Sequence, residues 1–261
     1  MSRANTYFLS DFHLGARYFE EPRETERRVV DFLDSIKGDA KEVYLLGDIL
    51  DYWFEYRYVV PRGFTRFFGK IAELTDLGVK VYWFIGNHDI WIFDYLPNEL
   101  GVEVIDGEVT KEIDGKVFFL AHGDGVGKQP RSFRMLRSLF RNRLCQKLYS
   151  AIHPRWTIPF ALSWSNSSRK GDDEYPEYKG EGNEFLEIFA NDYLKSHKVD
   201  YFVFGHRHIM LDKKLQGGAT LVVLGDWLHY CSYAVWDGNN LALKSLQSVQ
   251  NSIKSAVINI I

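Results

Sequence analysis

Short runs of apolar residues recur along the chain, and each one ends at a glycine or a polar residue. The clearest lie at 6–10, 42–46, 79–85, 201–204 and 221–224. Apolar runs of this length, bounded by turn residues, are typical of buried strands. Between them, apolar residues recur at helical spacing in 24–36, 64–77 and 183–196. This alternation of strand and helix predicts an α/β protein with βαβ units.

Further strands are predicted where the alternation weakens. Residues 108–113 and 116–120 flank Asp114-Gly115, a strong hairpin signal. Residues 102–105 form a short strand, and 233–236 and 241–246 predict two strands near the end of the chain. Predicted strands therefore recur along the chain from residue 6 to residue 246.

Carboxylates, imidazoles and an amide follow directly after these strands. In open α/β sheets, ligands collect at the carboxyl ends of the strands, so we expect these side chains to converge. Asp11 and His13 lie two positions apart, and in an extended segment both would point to the same side. Asp51 is either a supporting residue of this site or a helix cap. The convergent set is Asp11, His13, Asp48, Asn87, His122, His206 and His208.

This mixture of donors indicates a metal site. Carboxylate oxygens combined with imidazoles suit manganese, iron or zinc better than calcium. The set is too large for one ion, but it suits two ions that share Asp48. Two metals about 3.5–4 Å apart clamp the attacking and leaving oxygens of an in-line displacement. No Ser-His-Asp signature or P-loop competes with this interpretation.

The segment 125–171 differs from the rest because it contains neither Asp nor Glu. It carries ten Lys and Arg residues, interleaved with aliphatic and aromatic residues at helical spacing. Pro154 and Pro159 are expected to break it into pieces. One interpretation is a helical pair with solvated arginines. The other, which the complete lack of acids favours, is a basic amphipathic insertion with an anionic partner.

Composition narrows the class of protein. The 261 residues suit a single domain, 1–261, into which 125–171 is inserted. A net charge of −3 gives no global attraction to nucleic acid or anionic membranes. Cys145 and Cys231 are interpreted as reduced, buried thiols of a cytoplasmic protein. We expect no signal peptide and no membrane span, because no apolar run approaches about 20 residues.

The ordered motifs D-x-H, G-D, G-N-H-D, H-G-D and G-H-x-H between Asp11 and His208 resemble those of the calcineurin-like metallophosphoesterase superfamily. The resemblance implies two packed mixed β-sheets flanked by helices, in four layers. It also implies that His88 acts on the scissile phosphate or the leaving group, with Asp89 orienting it. One metal would be held by Asp11, His13, Asp48 and His208, and the other by Asp48, Asn87, His122 and His206.

A narrower resemblance involves the basic insertion after His122-Gly123-Asp124 and Leu224-Gly225-Asp226-Trp227. Both are similar to UDP-2,3-diacylglucosamine pyrophosphohydrolases of lipid A biosynthesis, which typically have arginine in place of His88. In that family the insertion is a helical lid that holds two acyl chains and the sugar phosphate. The implied substrate contacts here are Arg131, Arg134, Arg137, Phe140, Leu144, Ser163, Ser165, Asn166 and Lys170.

The leading hypothesis is a hydrolase that uses two divalent ions, manganese first and iron or zinc as alternatives. It would split the phosphoanhydride of a nucleotide-linked glycolipid at the cytoplasmic face of the inner membrane, as a peripheral protein. One alternative is a phosphodiesterase or nuclease of the same superfamily, but aliphatic residues at helical spacing suit acyl chains better than stacked bases. The other is a non-catalytic scaffold, which would have no reason to keep the complete ligand set.

Overall fold

The computed structural model describes residues 3–16, 21–169 and 176–246, with the side chains of 166–169 excepted. The strands are β1 (Asn5–Leu9), β2 (Ala40–Leu45), β3 (Lys80–Phe84), β4 (Glu103–Ile105), β5 (Val109–Ile113), β6 (Lys116–Ala121), β7 (Tyr201–Phe204), β8 (Met210–Lys214), β9 (Thr220–Leu224), β10 (Ser232–Trp236) and β11 (Leu241–Ser245). The helices are α1 (Pro22–Ile36), α2 (Thr65–Asp76), α3 (Tyr95–Leu100), α4 (Arg131–Arg141), α5 (Arg143–Ser150), α6 (Pro154–Arg169) and α7 (Phe185–Tyr193).

These strands form two mixed sheets. The first has six strands in the order β11-β10-β1-β2-β3-β4, and the second has five in the order β5-β6-β7-β9-β8. Within the first sheet β1, β2, β3 and β4 run parallel. In the second, β6, β7 and β9 run parallel. The parallel strands of each sheet therefore end along a common edge, which is the edge that carries the polar residues.

Three apolar clusters define four layers. One lies between the first sheet and α1, α2 and α3, and another lies between the second sheet and α7. The central cluster joins the two sheets through stacked aromatic rings, with the Phe8 ring 5.2 Å from that of Tyr44 and 5.7 Å from that of Phe118. The prediction of two packed mixed sheets flanked by helices is confirmed.

The predicted insertion is helical between residues 131 and 169, where it forms α4, α5 and α6. Pro154 begins α6. Proline is favourable there because the first N–H of a helix has no intrahelical partner. The expectation that Pro159 breaks the helix is wrong, because α6 continues through it to Arg169. Pro159 lies in the second turn, so the missing N–H removes only the bond to the carbonyl of Arg155. The division into one domain with an insertion at 125–171 stays a prediction.

Two elements have no counterpart in the sequence-based prediction. Strand β8 is a polar edge strand, Met-Leu-Asp-Lys-Lys, that pairs with β9. Helix α3 has only six residues and contains Pro97. Both depend on their neighbours more than on their own sequence pattern. Across the ranges that the structure describes, every helix is too short or too polar to cross a bilayer.

Candidate metal centre

The residues expected to converge follow strands whose carboxyl ends meet at one edge of the two sheets. Most are buried, with Asp11, His13, Asp48 and His122 each no more than 2% exposed. In the first sheet, Asp11 and His13 follow β1, Asp48 follows β2 and Asn87 follows β3. In the second sheet, His122 follows β6, and His206 and His208 follow β7.

One cluster consists of Asp11, His13 and His208, whose donor atoms all lie within 4.8 Å of one another. The two Nε2 atoms of His13 and His208 face each other at 3.3 Å. Oδ1 of Asp11 lies 3.3 Å from Nε2 of His208 and 3.6 Å from Nε2 of His13. Donor atoms from two distant parts of the chain, the loops after β1 and β7, therefore surround a common centre.

A second cluster consists of Asp48, His122 and His206, again with donor atoms within 4.8 Å of one another. Nε2 of His122 lies 3.3 Å from Oδ2 of Asp48 and 3.2 Å from Oδ1 of Asn87. The same Oδ2 atom lies 3.8 Å from Nε2 of His13 in the first cluster. Asp48 therefore stands between the two clusters.

The hydrogen bonds on the far sides of the rings decide which atoms face inward. Nδ1 of His122 donates to the carbonyl of Leu46 at 2.8 Å, and Nδ1 of His208 donates to the Asp226 carboxylate at 3.1 Å. Their Nε2 atoms therefore turn to oxygen and nitrogen acceptors, an arrangement that a metal cation between them satisfies. Among the residues that the structure describes, the buried Oδ1 atom of Asp11 finds no hydrogen-bond partner. This set of donors fits divalent metal ions.

The ionisation of Asp48 and His206 agrees with this fit. Burial alone would raise the pKa of the Asp48 carboxyl, but His122 and His88 nearby hold it well below its ordinary value. Burial and the neighbouring His122 lower the pKa of His206 to about 3. Asp48 is therefore a carboxylate and His206 a neutral imidazole at neutral pH, which are the forms that bind metals.

Asp226 is a site residue that the ligand prediction omitted. It is fully buried, and its Oδ2 accepts from Nδ1 of His208 at 3.1 Å and from Nδ1 of His229 at 2.9 Å. The carboxylate thereby orients His208 and fixes its tautomer. The signal was present in the sequence, because Asp226 follows β9 with the same Gly-Asp punctuation as Asp48.

The environment of His88 differs from the expectation that Asp89 orients it. The described hydrogen bonds of the Asp89 carboxylate come from the indole N–H of Trp83 and from the main-chain N–H groups of Ile49, Leu50 and Gly86. Nδ1 of His88 instead donates to the carbonyl of Asp51 at 3.1 Å. The family resemblance implied the orienting role for Asp89, but the turn directs its side chain into the core.

Asp51 joins the strand-end loops to the helical insertion. Its Oδ1 lies 3.5 Å from Nδ1 of both His13 and His88, and its Oδ2 accepts a hydrogen bond from Ser165 on α6 at 2.9 Å. The interpretation of Asp51 as a supporting residue of the site therefore agrees with its position better than that of a helix cap.

The backbone at the site is left-handed. Positive φ values occur at Asp11 (55°), His13 (46°), Asp48 (53°), His206 (65°) and His208 (52°). The expectation that an extended segment sends Asp11 and His13 to one side is therefore wrong in its geometry, although both side chains reach one cluster. Left-handed non-glycine residues are uncommon and concentrate at functional sites.

A cavity of about 390 Å³ runs from this site to the helical insertion. Asn87, His88 and Asp124 line the end near the clusters. The remainder is mostly apolar and aromatic, and its wall includes Ile90, Trp91, Phe133, Leu136, Leu139, Phe140, Tyr149, Phe160 and Trp164. A polar site for an anion thus opens directly into apolar space.

Only some of the substrate contacts expected on the insertion line a cavity in the structure. Arg137, Phe140 and Ser165 line this cavity, and Arg134 lines a neighbouring one. Arg131, Leu144 and Ser163 line neither cavity and are exposed, because successive helix positions point about 100° apart. The Asn166 side chain and Lys170 lie outside the described residues.

Gly86 makes room for Asp48, and this gives a test of the centre. A Cβ at Gly86 would overlap Oδ1 and the main-chain nitrogen of Asp48. We expect Gly86→Ala to displace the carboxylate and to reduce bound divalent metal by at least tenfold, measured by elemental analysis of purified protein. Gly69→Ala on α2 is the matched control, since a Cβ there meets nothing within 4 Å. Equal metal content in the two variants would contradict the shared role of Asp48.

Comparisons with known proteins agree with this geometry. The family model of calcineurin-like phosphoesterases matches residues 4–210. The UDP-2,3-diacylglucosamine hydrolase of Porphyromonas gingivalis is 45% identical, over 95% of this chain and 100% of that protein. The Serratia proteamaculans protein of the same name is 28% identical, over 85% and 91%.

Among solved structures, a dimetal phosphatase from Danio rerio is similar at a TM-score of 0.45 and 14% identity, over 93% of this chain and 96% of that one. The match of the family model over most of the chain and the 45% identity to a relative are sufficient for an assignment. This chain belongs to the calcineurin-like phosphoesterase family, and it is a metal-dependent hydrolase.

Proposed function

We propose that the protein hydrolyses the phosphoanhydride of UDP-2,3-diacylglucosamine and releases UMP and diacylglucosamine 1-phosphate. The observation that carries this proposal is the cavity, which begins at Asn87 and His88 and continues between apolar side chains of the insertion. A substrate that joins a diphosphate to acyl chains matches both ends. The names of the two relatives compared above support the same substrate.

In this proposal Asp11, His13, Asp48 and His208 hold one divalent ion, and Asp48, Asn87, His122 and His206 hold the other. When bound, the ions supply positive charge for the phosphoryl oxygens and a water nucleophile at neutral pH. His88 presents the Nε2 side of its ring, because Nδ1 donates to the carbonyl of Asp51. From there it stabilises negative charge on the phosphate, and the insertion keeps bulk water from the acyl chains.

We propose manganese as the metal, with iron or zinc as alternatives. The donors are carboxylate and amide oxygens together with neutral imidazoles, and no cysteine stands among these residues. This mixture suits a borderline hard divalent ion. Elemental analysis of protein purified without added metal distinguishes the three.

Two other functions use the same fold. A phosphodiesterase or nuclease would need a surface that stacks bases and follows a strand, whereas the wall of this cavity encloses a compact apolar volume. A non-catalytic scaffold would not need Asp226 and Asp51 to orient His208 and His88. The lipid-linked substrate therefore has the better support.

The substrate proposal predicts a dependence on acyl chain length. Burial of a methylene contributes about 0.8 kcal/mol, so kcat/KM should rise with chain length until the cavity is filled. Phe140 lines the cavity and Leu144, 66% exposed on the next helix, does not. We expect Phe140→Ser to lower kcat/KM for the long-chain substrate more than tenfold in detergent, and Leu144→Ser to change it less than twofold.

Product analysis and a soluble aryl phosphodiester complete this test. UMP and diacylglucosamine 1-phosphate are the products expected from the lipid substrate. The aryl diester should be hydrolysed equally by both variants, since it does not reach the apolar wall. If Phe140→Ser slowed both substrates alike, the insertion would be structural only.

The role of His88 gives a second prediction. General acid or electrostatic assistance of this kind is worth about 10²–10⁴ in rate. His88→Ala should therefore lower turnover by at least a hundredfold while bound metal is retained. His88→Arg keeps a fixed positive charge that grips phosphate, and the phosphate that leaves from an anhydride needs little protonation. The arginine variant should thus keep most of the activity on UDP-diacylglucosamine.

Exposed His197→Ala is the control for both variants. An arginine variant as inactive as the alanine variant, with both metals in place, would count against the anhydride substrate. That result would favour a phosphodiesterase whose alkoxide leaving group needs an acid.

We also propose that the insertion contacts a membrane peripherally, on the cytoplasmic face. Its outer side exposes large apolar residues, among them Leu144 (66%), Leu148 (63%) and Trp156 (68%). Lys147 and Arg155 stand beside them and are exposed too. Apolar residues flanked by cations suit an interface rich in anionic lipid.

The two cysteines support the cytoplasmic location. Cys145 is half-buried, where we expected it to be buried, and Cys231 is buried. Neither forms a disulfide, which fits a reducing compartment.

Vesicle binding tests this surface. We expect the protein to sediment with vesicles that contain anionic phospholipid, less so as salt is raised. The double variant Leu148→Ser and Trp156→Ser should weaken binding by at least fivefold. Tyr58→Ser removes an aromatic side chain that is 83% exposed outside the insertion and serves as the control. Binding that is unchanged in the double variant would contradict the proposed surface.

A further inference from the structure

A second cavity, of about 400 Å³ and wide open to solvent, lies between α4 and the turn that follows β4. Its lining is more polar than that of the first cavity. Arg137 lines both cavities, so its guanidinium stands at their junction. We call this second cavity the arginine groove, and it is lined by Asp106, Gly107, Arg134, Arg137, Ser138 and Arg141.

The groove carries an excess of positive charge. Its three arginines lie three and four positions apart on α4, so they share one face of the helix. Arg141 pairs with Asp106, and Nε of Arg137 lies 3.6 Å from the Asp124 carboxylate. With both acids counted, one positive charge remains, that of Arg134. Arg134 is exposed on this face of the helix, and a guanidinium in that position suits an oxygen-rich ligand.

The position of Arg137 is fixed by the loop that carries a metal-ligand candidate. Gly125 lies three residues after His122, and a Cβ at Gly125 would overlap the guanidinium of Arg137. The side chain therefore rests directly on the main chain of this loop. A permanent cation thus stands at the rim of the site where the diphosphate is proposed to react.

We propose that the arginine groove binds the nucleoside monophosphate half of the substrate, which leaves as the nucleotide product. This inference rests on the proposed function. The substrate has an apolar half and a nucleotide half on either side of the scissile anhydride. The apolar cavity begins at the site, and Arg137, which lines its wall, also lines the arginine groove beside it.

Arg137 and Arg134 bind the nucleotide phosphate, because guanidinium groups match phosphate oxygens in pairs. The carboxylate of Asp106, 52% exposed, accepts the ribose hydroxyls, a contact that carboxylates make in other nucleotide sites. The groove thereby fixes which side of the diphosphate faces the lipid cavity, and it selects nucleotide-linked substrates over simple lipid phosphates.

The test is direct binding of UMP, measured by calorimetry on the metal-loaded protein. The variants are Arg134→Ala and the double variant Arg134→Ala with Arg141→Ala. Arg143→Ala on α5 removes the same charge from an exposed position outside both cavities. We expect the Kd for UMP to rise at least tenfold in the double variant and less than twofold in Arg143→Ala. Arg134→Lys should restore part of the affinity.

Kinetics separate this role from a structural one. In the double variant, KM for UDP-diacylglucosamine should rise by at least tenfold with kcat within threefold, and hydrolysis of the aryl diester should not change. Similar losses in Arg143→Ala would overturn the proposal. So would inorganic phosphate binding as tightly as UMP, or a double variant that loses only vesicle binding.

The two proposals fail in different ways. If UMP binds in an Arg134-dependent manner but UDP-diacylglucosamine is not hydrolysed, the groove stands as a nucleotide site and the proposed substrate falls. If the lipid substrate is hydrolysed but neither UMP affinity nor KM depends on Arg134 and Arg141, the substrate stands and the groove proposal is overturned.

Discussion

The carboxylate of Asp48 is the constraint on which the rest of the site depends. One of its oxygens faces His13 in one cluster and His122 in the other. The other oxygen is held by the main-chain N–H of His88 at 2.8 Å. A buried anion in this position is stable only among cations or hydrogen-bond donors. The groups that surround Asp48 come from the strand ends of both sheets. Aromatic rings pack between the two sheets and hold them together.

The helical insertion serves two environments at once. Phe140 faces inward to the cavity, and Leu148 and Trp156 face outward. Short amphipathic helices can do this because residues one or two positions apart point in different directions. Ser165 connects the inward side to the candidate metal centre through its hydrogen bond to Asp51. The helices that line the apolar cavity are thus attached to the loop that contacts His13 and His88.

Much of this arrangement could be predicted from the sequence, because the candidate ligands follow buried strands and buried strands are recognisable. Asp226 shows how far the rule extends, since it too follows a strand, although it binds His208 instead of a metal in our assignment. What failed depended on local turns. The Asp89 side chain enters the core instead of reaching the His88 ring. Helix α6 continues through Pro159 instead of ending there. A strand pattern predicts where along the chain a polar residue follows a strand. It does not predict the direction in which the next turn points the side chain of that residue.

The left-handed backbone at the site limits which residues can occupy these positions without strain. Asp11, His13, Asp48, His206 and His208 all have φ between 46° and 65°. This conformation costs an ordinary residue about 1–2 kcal/mol, and least for Asn, Asp and His apart from glycine. Random replacement by a β-branched residue would strain the loop as well as remove a ligand. A lineage that gives up catalysis should therefore drift first to Asn or Gly here, and such substitutions would be the mark of a relative that has kept the fold and lost the chemistry.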